Sequence, residues 1–208
     1  NKKDTEALER FLEPEDLRGQ FYEALTAYAS TLQVALATVN FYNDFPEERI
    51  KTYKGDLGFF HNLRASVKQR YAETVDYKDY EKKIRKLIDS HIQSTDVKPI
   101  TDLVNIFDKE RFAQEVEKIE GTAAKADTIA NRVKRTITER MDLDPAFYKR
   151  FSKMIDETIQ AYKEGRISEL QYLETVTEAM NNVRNREDDV TPPELRRAKH
   201  AAAYFGLI

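Results

Sequence analysis

The sequence predicts an all-α protein, an irregular bundle of about seven to nine helices with no significant sheet. Three observations carry that reading. Apolar residues recur at helical spacing along most of the 208 residues. No run alternates apolar with polar residues between turn residues, as a half-buried strand does. Gly and Pro number six each, roughly half the usual share, which leaves few residues for hairpin turns.

The first stripe is Leu17, Phe21, Leu25, Tyr28, Leu32, Leu36 and Val39, one face of a long helix. Pro14 suits its first turn, where a missing N–H costs little, and Glu15 and Asp16 suit the positive end of its dipole. The second stripe, Ile50, Tyr53, Leu57, Phe60, Leu63, Val67 and Tyr71, starts just after Pro46. Gly55 and Gly58 fall inside it, each costing about 1 kcal/mol relative to Ala. Tight packing against a neighbouring helix, or a local break, accounts for them better than the approach of a partner's backbone. The third stripe is Tyr77, Tyr80, Ile84, Leu87 and His91, widened by Ile88 and Ile92 and capped by Asp76.

Residues 94–101 read as a turn-rich joint around Pro99, the only candidate sub-boundary in a chain otherwise read as one helical domain over 1–208. Leu103, Ile106 and Phe107 suggest a short helix, and Phe112, Val116 and Ile119 another, ended by Gly121 in the left-handed conformation. Ala126, Ala130, Val133, Ile137 and Met141 carry the next helix. Asp144-Pro145 caps one whose stripe is Phe147, Phe151, Ile155, Thr158 and Tyr162, with Gly165 as its stop. Ser168 begins a helix carrying Leu173, Val176, Met180 and Val183. Residues 184–193 read as a charged loop, and Pro193 to Phe205 as a last short helix.

Composition excludes several functions. There is no cysteine, hence no disulfide framework, thiolate metal site or cysteine nucleophile. No stretch approaches the ~18 apolar residues of a membrane span. The 22 aromatic residues argue against wholesale disorder. The glycines never form GxxxxGK or GxGxxG, so a phosphate-cradling loop of those kinds is absent from this segment. His61, His91 and His200 make no HExxH pair, and a stripe histidine such as His61 or His91 reads better as a core residue than as a ligand. No GxSxG elbow supports a Ser–His–Asp arrangement. Glu81-Lys82-Lys83 fits the ExK of a metal-dependent nuclease in letters only, because it lies in a helical run.

Charge is uneven. The chain is 34% charged with a formal net charge of −3. Within 129–153, seven basic residues (Arg132, Lys134, Arg135, Arg140, Lys149, Arg150 and Lys153) face three acidic ones, a net of +4. Residues 154–190 hold four basic and nine acidic residues, a net of −5. Arg132, Lys134, Arg135, Lys149, Arg150 and Lys153 are therefore candidate contacts to a nucleic acid or to an acidic protein partner. The plain alternative is a helix surface whose charges pair with their neighbours. No catalytic, cofactor-binding or metal-ligating residue is assigned.

Four blocks carry a family likeness: YKGDLGFFHNLRASVKQRY at 53–71, DYKDYEKKIRKLIDSHI at 76–92, DPAFYKRFSKMIDETIQAYKEGRISELQYLETV at 144–176 and PPELRRAKHAAAYFGLI at 192–208. Together with the helical stretch 11–45, their order and spacing resemble the C-terminal helical region of the restriction (R) subunit of type I restriction–modification enzymes. Gly55 and Gly58 depart from the pattern, standing where better helix formers are expected. The resemblance implies a fragment of a larger chain, as does a start at Asn1 and an apolar end at Leu207-Ile208. It implies a parent subunit with an endonuclease domain and ATP- and magnesium-dependent motor lobes upstream, in the cytoplasm of a bacterium or archaeon. That parent would act with methyltransferase and specificity subunits, translocate unmethylated DNA and cut it. The helical region would dock the motor subunit onto the methyltransferase–specificity core, with no membrane partner, and would hold no cofactor, metal or catalytic residue of its own. A DNA-contacting module using the 129–153 patch is the alternative.

Overall fold

Asp4, Asp108, Asp144 and Ser168 each start a helix by accepting a free backbone N–H of its first turn. The computed structural model describes residues 4–73, Leu87 and 103–187. These form eight α-helices and one short 3-10 turn, and no strand occurs among the described residues. They fall into two compact units, one within Asn1–Gln69 and Glu73–Asp102, the other within Arg70–Ala72 and Leu103–Ile208.

In the first unit, α1 (Thr5–Phe11) is opened by Asp4, whose carboxylate accepts from the Ala7 N–H at 2.9 Å. The apolar pattern gave no sign of it. Helix α2 (Glu15–Leu36) buries Leu25, Leu32 and Leu36 as predicted, with Tyr22 and Ala29 beside them. Pro14 stands just ahead of the helix as its N-cap. Val39 is not part of the α2 stripe: the chain turns at Ala37 and Thr38, and Val39 opens α3 (Val39–Asp44) with three-quarters of its surface exposed. Helix α4 (Glu47–Arg70) follows Pro46 and buries Ile50, Leu57, Leu63 and Val67; Tyr71 lies just past its end. The core joins Leu25, Leu32 and Leu36 to Ile50, Leu57 and Leu87. Phe21 meets Phe60 edge-on at 6.3 Å, and the Tyr28 hydroxyl donates to the Tyr53 carbonyl at 2.9 Å. Burial pushes the Tyr28 phenol up to about 12.

Gly55 and Gly58 neither break α4 nor permit close packing. Among the described residues a Cβ at either would meet no atom within 4 Å beyond its own stretch of helix backbone, so the tight-packing expectation does not hold. His61 is buried on α4, as a stripe histidine should be. The 76–92 stripe lies outside the described residues except for Leu87, which is helical and buried. So do Glu81-Lys82-Lys83, His91, His200, the 94–101 joint and the Pro193–Phe205 helix.

In the second unit, α5 (Lys109–Glu117), α6 (Thr122–Arg140), the 3-10 turn Met141–Leu143, α7 (Pro145–Lys163) and α8 (Glu169–Asn185) surround one core. Helix α6 packs against both α7 and α8, and those two pack on each other. Asp144 caps α7 with Pro145 at its first position, accepting from the Phe147 N–H. Gly165, at φ +69°, stops α7: its N–H donates to the Tyr162 carbonyl while Arg166 N–H reaches back to Ala161. Ser168 and Gln171 form a reciprocal capping box on α8.

Three predicted details differ. Residues 103–108 are not helical, although Ile106 is buried as the spacing required. Two of their carbonyls find distant donors: Arg132 of α6 donates to Val104 O and Arg184 of α8 to Ile106 O. The Phe107 N–H is taken by the Asn105 side chain at 2.9 Å. These side chains take the place of helical backbone partners at those three groups. Gly121 does have a positive φ, 91°, but as the N-cap of α6, since α5 ends at Glu117 with Lys118 as its cap. Arg184 and Asn185 continue α8 into the span read as a loop, and Arg186 closes it in the left-handed conformation.

Candidate partner-contact face

Helices α6 and α7 present the six basic residues singled out above, and the structure separates them into two kinds. Ala126, Ala130, Val133 and Ile137 turn inward on α6, as do Phe147, Phe151, Ile155 and Thr158 on α7. Arg132 shares the inward side. It is 2% exposed and donates to Glu115 of α5 at 2.6 Å and to the Val104 carbonyl at 2.7 Å. Desolvation lowers its affinity for the proton, and Glu115 opposes that effect. Arg132 straps α5 and the 103–108 segment onto α6, and the structure does not bring it to the surface with the other five.

Of those, Lys134 reaches across to Asp156 of α7 at 2.6 Å, linking the two helices with both side chains about half exposed. Arg135 pairs with Glu139 one turn on, at 2.8 Å, and Lys153 with Glu157 at 3.7 Å. Lys149 is exposed and Arg150 half-buried on α7. Met154 adds an exposed apolar side chain to α7. Such surface pairs contribute only about 0.2–1 kcal/mol each, so a partner of matching charge can exchange them at small cost. The face is a set of alternating signs, with the basic excess of 129–153 partly neutralised by Asp156 and Glu157 from beyond that span.

Buried polar contacts that sequence reasoning missed hold this face in place. Asp127 of α6 accepts from Arg70 at 2.6 Å through one oxygen and from the Tyr172 hydroxyl of α8 at 2.8 Å through the other. Asn131 donates to the Arg70 carbonyl at 3.0 Å. Burial, with the Asp127 charge beside it, holds the Tyr172 phenol protonated well beyond its usual range. Arg184 lies over the Phe112 ring at 5.4 Å, and desolvation lowers its pKa too. These partners lie far apart in sequence, 57 residues for Arg70 and Asp127 and 45 for Tyr172 and Asp127. No local pattern could have flagged them.

Among the described residues, no group of three or more His, Asp or Glu side chains is placed to hold a metal ion. No described helix is long and apolar enough to cross a membrane. The fold and face together define an all-α module built around two cores, with ionic straps inside and exchangeable charges outside. No curated protein and no solved structure matches this chain. One family model does, over residues 4–201: "Type I restriction enzyme HindI endonuclease subunit-like, C-terminal". The match covers nearly the whole chain, and the chain belongs to that family. The family likeness read from the sequence therefore stands over residues 4–201, and the protein is a C-terminal domain of a type I restriction enzyme subunit.

Proposed function

We propose that this chain is the assembly domain of the endonuclease subunit, docking it onto the methyltransferase–specificity core. The observation that carries the reading is the family match over 4–201, since the family is named for the C-terminal region of an endonuclease subunit. The parent would use ATP and magnesium to translocate and cut unmethylated DNA in the cytoplasm, with those cofactors held outside this domain. The helices suit that role. Two separate cores fix them, and exposed charged pairs on α6 and α7 can set register and on-rate for a protein partner.

The test is a pull-down of the methyltransferase–specificity core by this chain at low and moderate salt. Retention at both supports docking, and no retention at either refutes it. The DNA-contacting alternative draws on the exposed Lys149 and on Lys134, Arg135, Arg150 and Lys153. A salt-dependent mobility shift abolished by Lys149→Ser with Lys153→Ser would favour it.

A further inference from the structure

The corner between α2 and α3 carries a surface unlike the rest of the described residues. From Ala24 to Asn43, twenty residues pass without one charged side chain in a protein that is 34% charged. Much of this run is on the surface. Val34 is 69% exposed and Val39 75%, with Tyr42 at 48% and Phe45, just beyond, at 38%. Ala27, Thr31 and Val34 line the outer side of α2, all exposed. Helix α3 buries none of its own residues and has no side-chain cap. A single free turn and a half of helix is marginal by itself. What ties it down is the Phe41–Phe45–Tyr53 ring cluster and the Tyr42 hydroxyl, which donates to the Leu36 carbonyl at 3.3 Å. Phe41 of this helix packs against the edge of the core, while Val39 and Tyr42 stay exposed.

The described rim is mainly acidic: Glu23 closes the run on one side and Asp44, Glu47 and Glu48 on the other, against Arg49, which donates to the Tyr53 hydroxyl, and Lys51, which pairs with Glu47 at 2.9 Å. Charge depletion at the centre with aromatic residues present is the compositional mark of an interface core. An acidic rim repels phosphates, which argues against a nucleic acid. It also argues against a second copy, because a two-fold contact would set the same acidic rim against itself.

We propose that the α2–α3 corner is a docking surface for a protein subunit that presents an apolar centre ringed by Lys or Arg. The assembly reading above supplies the probe, and the inference rests on it to that extent. Val34 and Val39 are the contact centre, and Asp44 and Glu48 steer the encounter.

The experiment measures binding of the parent subunit to purified methyltransferase–specificity core. It compares wild type with Val34→Asp/Val39→Asp, and with Asp44→Lys/Glu48→Lys. All four positions are exposed, so circular dichroism should be unchanged. The apolar pair should weaken binding at least 30-fold, mainly through faster dissociation. The charge reversal should slow association about tenfold at low salt and flatten its salt dependence. If wild type binds and both variants bind alike, this surface is overturned while the assembly reading stands. If wild type fails to bind, both fall. If the chain instead dimerises through Val34 and Val39 in sedimentation analysis, the occupant is a second copy and the proposal is wrong.

Discussion

Whether Arg132 is a strap or a contact residue can be decided by its replacement. Arg132→Met removes a guanidinium that is 2% exposed and leaves the Glu115 carboxylate with only 15% of its side chain in solvent. Breaking one side of a buried pair costs about 3–5 kcal/mol. Glu115 sits on the short helix α5 and can turn partly toward water, so we expect the lower end, about 3 kcal/mol. For a chain of this size that corresponds to roughly 6–12 °C in Tm. The Val104 carbonyl also loses its 2.7 Å donor, which should loosen 103–108 and speed its amide exchange. Urea denaturation followed by circular dichroism gives the stability. A double variant with Glu115→Leu should recover most of the loss, because an apolar pair of similar volume leaves no charge uncompensated. A single variant within 0.5 kcal/mol of wild type would refute the argument. It would mean the guanidinium is solvated and free to meet a partner, which would return Arg132 to the contact face.

The remaining predictions concern stability. Gly55→Ala and Gly58→Ala should each raise it by about 0.5–1 kcal/mol, since the helix gains a better former and a Cβ meets nothing within 4 Å; a loss in urea midpoint would show hidden packing. Gly165→Ala should lower it by about 1 kcal/mol despite equal space, because that residue needs φ +69°. Ser168→Ala should cost about 1 kcal/mol by removing the capping box. Stability should fall above pH 10. Tyr172 and Tyr22 have raised pKa values when folded, chiefly through burial, and an ordinary value of 10.0 when unfolded. Their contribution is complete below pH 10 and lost as pH rises beyond it, at up to about 1.4 kcal/mol per pH unit for each. Urea midpoints from pH 9 to 11.5 should show the decline, and Tyr172→Phe should reduce its slope; an unchanged slope would contradict the burial of that phenol.

The stretch from Thr122 to Val183 shows how far local pattern reaches. Asp144-Pro145, Gly165 and Ser168 each satisfy backbone groups within a few residues of themselves, so the starts and stops they signal were readable from adjacent letters. The stripes of α2, α4, α6 and α7 were readable for a similar reason, because a helix repeats every 3.6 residues and shows its buried face in the spacing alone. Gly121 misled because a positive φ suits the entry to α6 as well as an exit from α5. Residues 103–108 misled because Ile106 meets the core from an irregular segment whose carbonyls are held by two distant arginines.

The candidate face was legible only in part. Counting charges over 129–153 picked out α6 and α7 but could not tell Arg132 from Lys134, two positions away, because burial follows from rotation about α6 and from what α5 brings alongside. Sequence alone determined the helical class, the family and the helix ends at Asp144, Gly165 and Ser168. Tertiary structure alone decided which charges are interior straps, which are exchangeable, and that an uncharged run ends as an exposed corner. The reason is range: caps and periodicity act between neighbours in the chain, whereas desolvation and ion pairing depend on groups that only folding brings within a few ångströms.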